Sequence, residues 1–96
     1  MTLYAVEYVY TADKATLDEV RPAHREYLAG LAEAGSLRGS GPFTDGTPGA
    51  LLVFSAPDDD ALAQLLAADP FAQAGVIAKT KARAWNVIIG PWAQAV

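Results

Sequence analysis

The segment Leu3-Tyr4-Ala5-Val6-Glu7-Tyr8-Val9-Tyr10 limits what this chain can fold into more than any other feature. Its β-branched and aromatic residues predict a strand. Both alternating sets are apolar: Tyr4, Val6, Tyr8 and Tyr10 on one side, Leu3, Ala5 and Val9 on the other, with Glu7 the only charge. A strand exposed on one face alternates apolar with polar residues, so this one belongs to a sheet covered on both faces. Ala50 to Ser55, a continuous apolar run, predicts a second such strand at the sheet centre.

The remaining elements follow from periodicity and punctuation. From Thr16 a helical stripe runs through Leu17, Val20, His24, Tyr27 or Leu28, and Leu31, with Thr16 and Glu19 spaced as a capping box and Gly35 in the C′ position. Pro22 inside the stripe implies a kink, or a loose first turn with the regular helix beginning near Pro22. Leu37 to Phe43 predicts a strand weakened by Gly39, Gly41 and Pro42, a pattern that fits an edge, a bulge or close approach by a ligand. Residues 44–49 form a turn. Asp58, Asp59 and Asp60 open a second helix whose stripe is Leu62, Leu65 and Leu66, and Asp69-Pro70 ends it. Pro70 to Ala74 makes a short extra turn closed by Gly75, Val76 to Ile89 a long last strand, and Ala93 to Val96 a loose tail.

The order β-α-β-β-α-β over residues 1–96 predicts one α+β domain of the ferredoxin-like kind with an antiparallel four-stranded sheet. Two helices cover one sheet face only. The composition sharpens the problem, because 52% of residues are hydrophobic and 19% charged, a rich proportion for a chain too short to bury more than about two thirds of its unfolded surface. Another copy of the chain is the simplest cover, so a homodimer through the open sheet face is expected.

Several function classes are disfavoured. The net charge is −4 and the pI about 4.6, and the seven Lys and Arg residues form no run. Neither nucleic acid nor an anionic membrane is the expected partner. There is no cysteine and one histidine, which removes thiolate chemistry, disulfides and a His-rich metal site within one subunit. No glycine-rich phosphate loop or other cofactor motif is visible, so neither cofactor nor metal is expected. The Asp58-Asp59-Asp60 run is read as helix capping. With no signal peptide, no apolar run of spanning length and no cysteine, the expected location is cytoplasmic.

Two polar residues fall on apolar stripes. His24 sits on that of the first helix, where it is either a core histidine satisfied by one neighbour or a working acid or base. Asp69 extends the stripe of the second helix, and also fits an N-cap for the turn that Pro70 begins. One carboxylate can do both. In this fold the two helices lie side by side on one sheet face, so His24 and Asp69 can meet, the carboxylate fixing the imidazole tautomer while the other ring nitrogen moves protons. Arg21, three residues before His24, either holds an anionic substrate or makes a salt bridge. Ser40, Gly41 and Pro42 either line a pocket or belong to a plain edge strand. Trp85 and Trp92 fill the core or the dimer interface, or stack on a ligand.

Arg21-Pro22-Ala23-His24 with Tyr27-Leu28, then Gly41-Pro42, then Asp69-Pro70-Phe71 with Gly75, and finally Trp85, resemble the YCII (YciI-like) family in order and spacing over nearly the whole chain. The resemblance implies a dimeric α+β barrel of ferredoxin-like subunits. It also implies a small enzyme whose active site holds a His–Asp pair, carried over by position to His24 and Asp69. The family is similar to muconolactone isomerases, with chloromuconolactone dehalogenases among its relatives. The chain departs from it at Ala84-Trp85, where the family often has Pro-Trp. The function expected is cofactor-independent acid–base chemistry on a small, anionic or lactone-like metabolite. The alternative is a non-catalytic dimeric module binding a small ligand or a protein, with His24–Asp69 a structural pair.

Overall fold

A computed structural model describes residues 1–93 of the chain. Its elements are β1 (Thr2–Tyr10), α1 (Lys14–Ala34), β2 (Leu37–Pro42), β3 (Gly49–Ala56), α2 (Asp59–Ala67), α3 (Pro70–Gln73) and β4 (Ile77–Ala84). The four strands pair antiparallel in the order β2-β3-β1-β4. This is the ferredoxin-like α+β arrangement, with α3 as the short turn after Pro70.

Register fixes which residues face the helices. Tyr4 lies opposite Phe54, Val6 opposite Leu52 and Tyr8 opposite Ala50. That set forms the main core with Leu28 of α1 and Leu62 of α2, and Val6 and Leu52 are wholly excluded from water. A second cluster of Leu17, Phe71 and Val76 joins α1 to α3 and the start of β4.

The start of α1 differs from the expected capping box. Asp13 is the N-cap, accepting from the Thr16 backbone N–H at 3.1 Å and the Thr16 hydroxyl at 2.6 Å. A carboxylate outcompetes the hydroxyl three positions on, and Thr16 becomes its donor. The helix then runs through Pro22 and does not begin there. Pro22 faces solvent, where water can satisfy the carbonyl it leaves without a donor. Gly35 ends the helix at φ 86°, a left-handed geometry that a side chain opposes.

The last strand is shorter than its apolar sequence suggests. The final bond of its ladder is Trp85 N–H to Leu3 C=O at 2.8 Å, and β1 starts at Thr2. Residues 87–93 therefore have no β1 backbone to pair with. They turn across the open sheet face instead, where Val87, Trp92 and Ala93 pack on Leu3 and Val53. Part of the expected uncovered face is thus covered by the chain itself. The β4 side of that face is less apolar than expected, because Lys79, Lys81 and Arg83 of β4 stand opposite Val9, Glu7 and Ala5. Of the expected loose tail, Ala93 is packed in this cluster, and residues 94–96 lie outside the described residues.

Candidate active site

Asp69 stands where two helices meet, after α2 and as the N-cap of α3. Pro70 at the first helical position holds Asp69 extended at φ −64°, ψ 125°, which aims its carboxylate back along α3. There Oδ1 accepts from the Phe71 N–H at 2.9 Å, and Oδ2 from the Tyr8 hydroxyl at 2.9 Å. A third contact reaches across from α1: His24 Nδ1 lies 2.7 Å from Oδ1. Asp69 is 1% exposed and His24 6%. A buried carboxylate is tolerable only when its oxygens are met by donors, and here they are. The same geometry makes Nδ1 the donor, so the neutral ring carries its hydrogen there.

The imidazole is fixed in a second way. Its ring stacks on Phe71, with centroids 3.8 Å apart and planes within 9°. Tyr10 meets the same Phe71 edge-on at 5.4 Å. Among the described residues Nε2 has no hydrogen-bond partner, yet no fully buried side-chain nitrogen or oxygen lacks one. Nε2 is therefore the ring atom open to an incoming molecule. His24 lines a groove of about 880 Å³ between α1 and β2.

Arg21, His24, Ser40, Gly41 and Pro42 all line this groove, while Asp69 sits behind His24 and does not. Arg21 lines the groove, and its guanidinium is held by Asp18 one turn back. Residues 40–42 belong to β2, which is an edge strand and also a groove wall. Arg25 and Arg38 line it too and, among the described residues, have no carboxylate partner. Three of the seven cations of an acidic chain thus surround one opening.

The tyrosines respond to the buried charge. Burial first, and then the Asp69 carboxylate, push the Tyr8 hydroxyl far above the usual phenol range. Burial and Asp69 also raise Tyr10, with Arg21 and Arg25 opposing. Tyr8, Phe71, Arg25 and Arg38 were not foreseen as site residues. Tyr8 was readable from alternation, which puts it on the helix-facing side, and Phe71 from its position two after the capping Asp69. Arg38 had no signal, because its placement depends on a bulge. The Asp58-Asp59-Asp60 run does act at the start of α2: Asp58 accepts from the Ala61 N–H at 2.8 Å, and Asp59 accepts from the Tyr4 hydroxyl at 2.8 Å.

The family model of the YCII-related domain matches residues 2–86. No curated protein has a significantly similar sequence. Among solved structures, 5-chloro-2-hydroxyhydroquinone dehydrochlorinase (TftG) from Burkholderia phenoliruptrix AC1100, in complex with 2,5-dihydroxybenzoquinone, superposes with a TM-score of 0.78 at 22% identity over 88% of this chain and 93% of that one. An uncharacterized NIPSNAP domain protein from Burkholderia xenovorans gives 0.57 at 20% identity over 98% and 99%. An antibiotic biosynthesis monooxygenase gives 0.58 at 14% identity over 93% and 100%. At these identities the likeness is one of fold.

Proposed function

The chain belongs to the YCII-related domain family, and from that premise we propose that it is a small cofactor-independent enzyme in which His24 is the general acid or base and Asp69 orients it. The observation that carries this reading is the division of labour within one imidazole. Nδ1 is held by a buried carboxylate at 2.7 Å, which leaves Nε2 as the free nitrogen of a ring that lines a groove. A base of this kind takes a proton from substrate carbon or oxygen at Nε2, and the buried carboxylate stabilises the imidazolium that results. The electron pair left behind expels a leaving group or recaptures a proton elsewhere, which gives elimination or isomerisation. Hydrolysis follows if water is the acid that loses its proton.

The substrate class is a small, anionic or lactone-like metabolite. The arginines around the opening favour the anion, with Arg21 and the wall of Ser40, Gly41 and Pro42 as binding residues. The ligand held by the dehydrochlorinase, 2,5-dihydroxybenzoquinone, is a small acidic ring compatible with such a groove.

The test is turnover of a panel of small lactones and hydroxylated quinols by the wild type, His24→Ala and Asp69→Asn. Loss of about a hundredfold or more is expected in both variants, the usual weight of a positioned proton-transfer group. Wild-type turnover in either variant overturns the reading.

One observation favours a second reading, a non-catalytic binding module. Asp69 is fully engaged by Tyr8, Phe71 and His24, as a purely structural carboxylate would be. In that case no substrate of the panel turns over, and His24→Ala lowers stability by several kcal/mol, roughly 3 or more, by stranding the buried carboxylate. In either reading the assembly we propose is a homodimer through the open sheet face, where Leu51 is 40% exposed.

A further inference from the structure

We propose that Arg38 recognises the anionic group of the substrate, and that Trp92, on the far side of the sheet, sets it there by bracing the bulge of β2 through Gly39. The inference rests on the groove being the ligand site of the preceding reading and adds the residue that selects the ligand's charge.

The register carries the first half. Leu37 pairs with Phe54, but Gly39 pairs with Val53, so one extra residue, Arg38, is inserted. Without the insertion Arg38 would face Val53 and share the open face with it, away from His24. With it, Arg38 lines the groove together with Leu37 and Ser40. A bulge re-aims one side chain and is common beside functional sites. Of the groove arginines, Arg21 is already engaged by Asp18. Arg38 and Arg25 are unpaired among the described residues and approach from β2 and α1. A guanidinium with no protein acceptor, within a mainly apolar groove, is suited to a carboxylate or an enolate oxygen.

Gly39 carries the second half. A Cβ there would stand 3.1 Å from Cη2 and 3.5 Å from Cζ2 of Trp92, so the indole already lies against the strand backbone. Trp92 is itself held edge-on by Trp85 at 6.4 Å and by the cluster of Leu3, Val53 and Val87. The bulge therefore has a solid backing at the residue after Arg38, and a smaller side chain at 92 leaves it free to relax toward regular pairing.

The experiment is direct binding by calorimetry of 2,5-dihydroxybenzoquinone, an acidic ring largely ionised at neutral pH, with hydroquinone as a ring of similar size without the charge. The proteins are the wild type, Arg38→Ala, Arg38→Lys, Trp92→Ala, Trp92→Phe and Gly39→Ala, each checked for folding by its melting transition. Arg38→Ala is expected to weaken the anion about tenfold or more and leave hydroquinone unchanged, with Arg38→Lys recovering part of the loss. Trp92→Ala and Gly39→Ala weaken the anion selectively in the same sense, and Trp92→Phe restores most of it. Affinity is read by direct binding and not by turnover, which separates charge recognition from proton transfer. Unchanged affinity in Arg38→Ala, equal loss of both probes, or a wild type that binds neither overturns the assignment of Arg38. Wild-type affinity in Trp92→Ala with Arg38→Ala impaired overturns the bracing role.

Discussion

Tyr8 gives Asp69 its third donor from the sheet, and the consequence is measurable at the level of one hydroxyl. Tyr8→Phe removes only the 2.9 Å bond to Oδ2 and leaves the ring in the core. We expect it to cost about 1.5–3 kcal/mol in urea unfolding, the range for a hydrogen bond to a charged group. The pH dependence follows from the raised Tyr8 hydroxyl. Its folded value lies above its unfolded one, so its contribution is fully present below about pH 10, where a free phenol ionises, and is lost as pH rises further. Melting temperature measured between about pH 8 and 11 should fall at the alkaline end in the wild type, and less steeply in Tyr8→Phe. Equal slopes would show that Tyr8 is not the group that resists ionisation. Tyr10 and Tyr27 are shifted in the same direction, which is why the comparison is with the single variant. At this scale the sequence was informative about His24 and Asp69 because both break an apolar stripe at helical spacing. It was silent about the Tyr8 bond and the His24–Phe71 stack, since those depend on how far the elements approach one another.

Pro22 poses the question at the scale of the element. A proline in a helix interior costs about 3 kcal/mol relative to alanine, yet α1 is continuous from Lys14 to Ala34. Leu17, His24 and Leu28 anchor its inner face, and tertiary packing of that face outweighs the local penalty. Because Pro22 is exposed, its replacement sacrifices no packing. Pro22→Ala should therefore stabilise the protein. The gain is expected to be about 2–2.6 kcal/mol, the local penalty less the unfolded-state freedom of about 0.4–1 kcal/mol that the alanine chain recovers. Urea midpoints decide it, and an unchanged or lowered midpoint would mean that the helix bends at Pro22 to fit the sheet. The alternatives that periodicity left open for Pro22, a kink or a late start, both treat the proline as decisive locally. The Asp13 cap eight residues upstream of Arg21 excludes the late start. The end of β4 was illegible for a related reason: Val87, Ile88 and Ile89 have strand-like residues, but pairing needs a partner and β1 has run out.

On the scale of the whole molecule, the double-sided apolar character of β1 and β3 foretold a cover for the second sheet face, and the identity of that cover is divided. Val87 and Trp92 serve Leu3 and Val53. Beyond them, Leu51 is 40% exposed, and Ile88 and Ile89, carried by the same crossing segment, are 72% and 90% exposed. Adjacent isoleucines held out in water on a segment anchored by Val87 and Trp92 gain by burial against a twin surface, about 1.5–3 kcal/mol each if fully covered. The charged row of Lys79, Lys81 and Arg83 on the edge strand β4 would repel its copy unless the two rows are offset, so a two-fold contact centred on the isoleucines is favoured over one centred on β4. Sedimentation equilibrium is expected to give twice the 10.1 kDa chain mass for the wild type and the single-chain mass for Ile88→Lys combined with Ile89→Lys. Those substitutions touch no groove residue, so the tautomer of His24, read from its ring nitrogen shifts, should remain Nδ1–H in the resulting monomer. A wild type that sediments as a monomer at every concentration would show that the crossing segment is cover enough, and that Ile88 and Ile89 are not an interface.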